Sequence, residues 1–138
     1  MKSLRQVGAH TIEVIDDLVI ATSRGHWDMA QLEVLIATWE SVLRAEGRLY
    51  YIGDFSQGME LPSQGRRRVV DWAKTHEVAA IALCITSLPV RALSTLVLRA
   101  ARLVRSLEST EPYFCSTLTE AKAHIAAERQ RLLMQHSP

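Results

Sequence analysis

The sequence predicts an α/β fold, in which a mixed but mainly parallel sheet of about five strands carries packed helices. Two observations predict it: short apolar segments of β type alternate with segments of helical periodicity, and the links between them are short. A chain of 138 residues with 48% apolar residues buries one core, so we expect a single domain over residues 1–138. The predicted order is β-β-α-β-α-β-α-β-α, with right-handed βαβ units supplying the parallel pairs.

The first two predicted strands form a hairpin. Thr11–Ile15 alternates in the β manner, Asp16 and Asp17 supply a turn, and Leu18–Ala21 resumes an apolar strand. The two strands are therefore expected to be antiparallel, and they account for the non-parallel part of the sheet.

A first helix and a third strand follow. Asp28 has the chemistry of an N-cap with Gln31 at the capping-box position, and Gly47 ends the helical pattern. The helix buries the apolar residues Leu32, Leu35, Ile36, Trp39, Val42 and Leu43. Leu49–Ile52 is expected to be the third strand.

The middle of the chain combines a loop, a basic helix and a buried strand. After a loop over Gly53–Pro62, Ser63 is expected to cap a second helix that runs to about Thr75. Val78–Thr86 is a continuous apolar run rich in β-branched residues, which is typical of a strand buried on both faces. We expect it to be the central strand.

The last third of the sequence predicts a long helix, a short strand and a final helix. The long helix spans Leu88–Leu107, and the strand is Tyr113–Cys115. Thr117 and Glu120 have capping-box spacing before a helix that continues to about Met134. Its apolar end at residues 132–134 leaves open whether it covers the chain's own sheet or pairs with a second copy as a homodimer.

Charge is balanced overall and uneven locally. The formal net charge of +1 gives no case for a nucleic-acid partner, yet Pro62–Arg105 holds eight basic and two acidic residues, a net charge of +6. In parallel sheets, ligands gather where loops lead from strands into helix N-termini, and Arg66, Arg67 and Arg91 lie at such positions. A small anionic ligand or an acidic partner surface fits them. A solvated basic face balanced by the acidic first helix fits them equally.

No motif of an established enzyme class is present. The sequence lacks a GxSxG elbow, a P-loop lysine, a GxGxxG turn and an HExxH pair, and its five histidines lack metal-ligand spacing. We therefore expect no catalytic residue, no metal and no cofactor. A general acid–base pair of His26 and Asp28 near Ser63 is the weaker alternative.

The ends of the sequence and its cysteines favour a cytoplasmic protein. We expect neither a secretion signal nor membrane insertion, because charged residues interrupt every apolar run before it reaches the necessary length. Cys84 and Cys115 have no metal-ligand or redox-motif spacing, which favours two reduced thiols in the core.

Two short motifs flank the loop before the second helix: Asp54 and Ser56 follow the third strand, and Ser63 and Gly65 open the helix. They resemble motifs of the STAS superfamily, named for sulfate transporters and anti-sigma factor antagonists. In that family a strand ends in Asp-Leu-Ser and an Asp-Ser-Ser/Thr-Gly motif opens the next helix. Asp54 and Ser56 match the first element, and Ser63 and Gly65 match the second at the expected spacing. The resemblance covers about residues 10–130 and implies that Ser63 occupies the position phosphorylated by anti-sigma factor kinases.

Within the superfamily the sequence is most similar to the SpoIIAA-like branch of bacterial STAS-like proteins. That similarity lies in the long helix Leu88–Leu107 and in a closing Phe-to-Thr-Glu-Ala segment at Phe114–Ala121. Pro62 stands where the family has an aspartate, and the loop 57–61 is more polar than its family counterpart. For Ser63, the residues favour a helix cap over a phosphoacceptor.

The function expected from these features is a non-enzymatic regulatory or protein-interaction module. Its partner would be an anti-sigma-factor-like kinase or a similar regulator, and the residues expected to bind it or an anion are Asp54, Ser56, Gly65, Arg66, Arg67 and Arg91. The alternative is a domain that binds a small anionic or lipid-like ligand in a slot between the second and third predicted helices.

Overall fold

A computed structural model of the chain describes residues 2–85, 92 and 112–135, and it has an α/β fold. In chain order its elements are β1 (Lys2–Val7), β2 (His10–Ile15), β3 (Leu18–Thr22), β4 (Gly25–His26), α1 (Met29–Glu46), β5 (Tyr50–Asp54), β6 (Met59–Glu60), α2 (Ser63–Thr75), β7 (Ala80–Cys84), β8 (Tyr113–Cys115) and α3 (Leu118–Gln135). The main sheet has the order β1-β2-β3-β5-β7-β8, and β4 pairs with β6 separately.

The main sheet is mixed, as expected, but it has six strands rather than about five. The predicted hairpin is confirmed as the antiparallel pair of β2 and β3, while β3, β5, β7 and β8 pair in parallel. The extra strand, β1, pairs antiparallel with β2 at the edge of the sheet. All of its residues except Val7 are exposed, so it has no apolar face from which a strand could be predicted.

The predicted order of elements is wrong at a second place. The segments at Gly25–His26 and Met59–Glu60, which we expected to be loops, form a two-residue parallel ladder. Strands this short leave no periodicity in a sequence, because two residues cannot show an alternation. The ladder ties the beginning of the α1 segment to the loop before α2.

The first helix begins and ends as its sequence predicts. The Asp28 carboxylate accepts a hydrogen bond from the Gln31 backbone N–H at 2.7 Å, and the Gln31 side chain accepts one from the Asp28 N–H at 3.0 Å. At the other end Gly47 adopts the left-handed conformation with φ of 77° and donates to the Leu43 carbonyl. Both ends of α1 are thus capped.

Helices lie on both faces of the sheet and enclose two apolar clusters. One cluster joins β2, β3 and β5 to α1 and α2 through residues such as Trp39 and Trp72. The other lies under α3, where Ala121 and Ile125 are buried. All five residues of β7 are buried, as predicted. The expectation that this strand is central is wrong, because β7 lies between β5 and β8 and the central strands of the sheet are β3 and β5.

The predicted third helix at Leu88–Leu107 falls outside the described residues, as does Arg91. Within the described ranges, no helix is both long enough and apolar enough to span a membrane.

Candidate functional site

The carboxyl ends of four strands meet at one edge of the main sheet. Thr22, Asp54, Cys84 and Cys115 are in-register partners across β3, β5, β7 and β8. The backbone continues this alignment beyond the strands, because Ser23 N–H donates to the Asp54 carbonyl at 2.9 Å and Phe55 N–H donates to the Cys84 carbonyl at 2.8 Å. The segments that follow the strands are therefore neighbours, as the parallel topology predicts.

The β4–β6 ladder fixes the loop between β5 and α2 against the start of the α1 segment. Gly25 N–H donates to the Gly58 carbonyl at 3.1 Å, and Trp27 N–H donates to the Glu60 carbonyl at 2.9 Å. Gly25 and Gly58 have φ values of 92° and 96°, a backbone conformation that favours glycine. These two glycines are the feature of the sequence that could have indicated a tight backbone arrangement here.

A buried polar cluster of His10, Ser23 and Trp27 lies beneath this ladder. All three side chains are completely buried, and the His10 and Trp27 rings stack with centroids 3.9 Å apart. Trp27 Nε1–H donates to Ser23 Oγ at 2.8 Å, and Ser23 Oγ–H donates to the Gly58 carbonyl at 2.7 Å. The cluster therefore holds the loop through the Ser23 side chain, which is hydrogen-bonded to the loop backbone at Gly58.

The hydrogen bonds of His10 define its protonation. The Arg24 backbone N–H donates to His10 Nδ1 at 3.0 Å, so Nδ1 carries no proton. His10 Nε2 lies 2.8 Å from the His26 carbonyl, which only a protonated Nε2 satisfies. His10 thus accepts a hydrogen bond at Nδ1 and donates one from Nε2. The sequence analysis assigned it no role, because its partners are backbone atoms of residues distant in the sequence.

Asp54 and Ser56 form a turn with each other. The Asp54 carboxylate accepts hydrogen bonds from the Ser56 backbone N–H at 3.2 Å and from its hydroxyl at 2.7 Å. Between them, the buried Phe55 ring folds back over Gly53, where a Cβ atom would lie 2.7 Å from the ring. Asp54 and Ser56, two of the residues expected to bind a partner, are therefore at this edge, and the Asp54 carboxylate is already hydrogen-bonded to Ser56.

The expectation that Ser63 caps α2 is wrong. Pro62 occupies the N-cap position in an extended conformation and supplies no side-chain hydrogen bond, while Ser63 is already the first helical residue. The carbonyl of Pro62 accepts from Arg66 N–H at 3.0 Å, which starts the helical ladder one residue earlier than expected. Ser63 is exposed, and its hydroxyl accepts from the Arg66 guanidinium at 3.0 Å.

The basic residues at the start of α2 have three different surroundings. Arg66 donates to the Leu61 carbonyl at 2.8 Å as well as to Ser63. Arg68 forms a two-armed ion pair with Glu33 of α1, which raises the pKa of the guanidinium. Arg67 is exposed and makes no ion pair with any residue that the structure describes. The acidic first helix thus neutralises one of the three arginines, in partial support of the solvated-face alternative.

Gly65 is buried at the start of α2. It is buried against α1, where a Cβ atom would lie 3.2 Å from Leu32 Cδ2. The close approach of the two helices at this position favours a residue without a side chain. The other expected site residues except Arg91 lie within the described part of the chain.

The two cysteines, which are 31 residues apart in the sequence, meet in space. Cys84 and Cys115 are buried and free, as expected, and their Sγ atoms are 3.3 Å apart. Burial raises the pKa of the Cys84 thiol to about 12 and also raises the pKa of the Cys115 thiol. No local pattern in the sequence indicated their contact, because pairing between β7 and β8 is set by the whole sheet.

His26 and Asp28, the alternative acid–base pair, both take part in hydrogen bonds that hold the fold. His26 uses its carbonyl to hold His10, and the Asp28 carboxylate caps α1. Among residues 2–85, 92 and 112–135, no group of three or more His, Cys, Asp or Glu side chains has the arrangement of a metal site.

Comparison with known proteins adds no relative: no family model matches the chain, and neither a curated protein nor a solved structure shows significant similarity to it.

Proposed function

We propose that the protein is a non-enzymatic regulatory module of STAS type that binds a partner protein through the start of α2 and the loop before it. The exposed side chains of this docking surface are Ser56, Gln57, Glu60, Ser63, Gln64 and Arg67. The observation that carries the proposal is the position of Ser63, whose hydroxyl is exposed and released from any capping role.

Three features support a binding role for this surface. The loop is held by buried residues and by backbone hydrogen bonds, so its backbone is already ordered before a partner binds and loses little conformational entropy on binding. Arg67 makes no ion pair with the residues that the structure describes, so its positive charge is available to an acidic residue of the partner. The resemblance to anti-sigma factor antagonists points to the same serine.

A charge placed at Ser63 tests the proposal directly. In Ser63→Glu the carboxylate lies at the positive end of α2 beside Arg66, so the helix is preserved while the surface gains a negative charge. We expect Ser63→Glu and Arg67→Glu each to weaken the binding of a stoichiometric partner captured from the source cells by at least about tenfold. Quantitative mass spectrometry of the captured complexes measures this loss.

Matched controls separate the docking surface from general charge effects. Ser41→Glu places the same charge on the exposed outer side of α1, and Arg5→Glu makes the same reversal on β1. Both controls should retain the partner. Equal loss from the controls, or full retention by Ser63→Glu and Arg67→Glu with unchanged thermal unfolding, would overturn the assignment.

An anionic ligand remains the second candidate, favoured by the open N-terminus of α2. The first turn of this helix has neither an acidic residue nor a side-chain cap, so its backbone N–H groups are available to an anion beside Arg67. Titration with inorganic phosphate should shift the backbone amide resonances of residues 63–66, and Arg67→Gln should weaken the effect while Arg5→Gln should not. Resonances that stay unchanged at millimolar phosphate would exclude this candidate.

A further inference from the structure

The Cys84–Cys115 pair is a dithiol buried between β7 and β8. The two side chains are 1% and 4% exposed, and they belong to residues that are direct register partners on adjacent parallel strands. The Sγ atoms are 3.3 Å apart, and Cys115 Sγ–H has a second acceptor in the Leu83 carbonyl, 3.6 Å away, so we assign Cys84 as the donor between the two sulfur atoms. The docking surface uses neither thiol.

The backbone spacing at this pair suits a covalent bond. Neighbouring strands lie about 4.8 Å apart, and disulfides join residues whose Cα atoms are about 4.4 to 6.8 Å apart. To bond, the sulfur atoms must approach from 3.3 Å to about 2.0 Å. Small rotations of the two side chains provide this movement, and the sheet does not have to rearrange.

We propose that Cys84 and Cys115 are a redox modification site, at which a peroxide converts the dithiol into a reversible disulfide between β7 and β8. In the first step the Cys115 thiolate attacks one oxygen of the peroxide. The S–O bond forms, the O–O bond breaks, and hydroxide leaves, which gives a sulfenic acid on Cys115.

The second step closes the disulfide. The Cys84 sulfur loses its proton and attacks Cys115 Sγ, the S–S bond forms, and the S–O bond breaks as the oxygen leaves with a proton as water. With hydrogen peroxide, the two thiols together lose two electrons and two protons, and the peroxide becomes two water molecules.

The order of the two residues follows from their hydrogen bond. Burial raises the pKa of both thiols, but the hydrogen bond donated by Cys84 favours the Cys115 thiolate and therefore counteracts the rise at Cys115. Cys115 is accordingly the residue that reacts first, and Cys84 resolves the sulfenic acid. Because both thiols are buried and protonated at neutral pH, the reaction is slow.

The test uses the reduced full chain in native buffer with hydrogen peroxide, followed by alkylation in denaturant and mass spectrometry. We expect a monomer lighter by about 2 Da in which neither cysteine is alkylated, a peptide cross-link between residues 84 and 115, and full reversal by dithiothreitol. A wild-type chain that remains fully alkylated, links to a second chain, or gains about 32 Da as a sulfinic acid without the cross-link would overturn the proposal.

Two single variants test the order of reaction. In Cys84→Ala, the Cys115 sulfenic acid has no resolving partner and should be trapped by dimedone. In Cys115→Ala, Cys84 should remain unmodified over the same time. Trapping at Cys84 instead would contradict the assigned roles. If a variant folds poorly, the wild-type experiment still tests the proposal, because it uses neither variant.

Discussion

Ser23 connects three parts of the site with a single hydroxyl group. It accepts from the Trp27 indole and donates to the carbonyl of Gly58, and it is completely buried. Removal of this oxygen leaves the buried indole N–H without an acceptor, which costs about 1 to 3 kcal/mol. We expect Ser23→Ala to lower the free energy of unfolding by that amount in urea titrations.

Ser56→Ala is the matched control, because it removes a serine hydroxyl that is hydrogen-bonded but exposed. Its cost should stay below about 0.5 kcal/mol. If the two variants lost the same stability, Ser23 would not be the link between Trp27 and the loop.

The Cys84 thiol makes stability depend on pH in the alkaline range. Its pKa is raised to about 12 in the folded protein, against about 8.5 in an unfolded chain. The stabilisation is complete below pH 8.5 and is lost as the pH rises toward 12, because only the unfolded state ionises in that window. Between pH 7.5 and 10, with reductant present, we expect the wild type to lose about 1 to 2 kcal/mol more than Cys84→Ala. Denaturant titrations that show parallel losses would contradict this.

At single residues, the sequence predicted chemistry that acts locally and missed chemistry that acts across the fold. The Asp28–Gln31 box was predictable because its four atoms lie within one helical turn. The role of His10 was not, since its partners are backbone atoms of Arg24 and His26, which the sheet brings near. Ser63 was misjudged because Pro62, with its extended backbone, ends up as the N-cap.

The end of β5 depends on the absence of a side chain at Gly53. A Cβ atom there would meet the Phe55 ring at 2.7 Å and Leu83 Cδ2 at 3.0 Å. Gly53→Ala should therefore destabilise the protein by about 1 to 3 kcal/mol through overpacking. Thermal and urea unfolding measure the loss.

The double variant Gly53→Ala/Phe55→Leu identifies the clash. Leucine is smaller than the phenylalanine ring and leaves room for the added methyl group, so the loss in the double variant should be clearly less than the sum of the two single losses. Additive losses would show that the Phe55 ring is not what excludes a side chain at Gly53.

At the scale of elements, predictability followed length and burial. The α1 and α2 helices and the strand β7 carry periodic or continuous apolar patterns, and each was predicted within a few residues of its bounds. The strand β1 and the β4–β6 ladder lack such patterns, because backbone hydrogen bonds rather than buried side chains define them. Their pairing becomes apparent only in the folded chain.

Across the whole molecule, stability should decrease from the centre of the sheet to the β1 edge. The central strand β5 is paired on both sides and has four buried residues, whereas β1 is paired on one side and is exposed except at Val7. We expect amide hydrogens of β1 that are bonded to β2 to exchange at least about a hundredfold faster than those of β5. Equal protection in native-state hydrogen exchange would show that β1 opens only with the whole sheet.

The location of the candidate site was predictable at this largest scale. Parallel strands separated by helices must bring their carboxyl ends to one edge, and Thr22, Asp54, Cys84 and Cys115 do meet there. The pairing of the two thiols required the relative positions of β7 and β8, which no local pattern in the sequence encodes.

The ladder between β4 and β6 separates the backbone shape of the loop before α2, which is part of the proposed docking surface, from the chemistry of its side chains. Backbone atoms of Gly25, Gly58 and Glu60 hold the loop, whereas the side chains of Ser56, Gln57 and Glu60 point to solvent. Exchanging these side chains should change what is recognised without refolding the loop. A scaffold of this kind can acquire a new binding specificity by a few surface substitutions, so the loop is also the natural place to randomise when engineering binders from this protein.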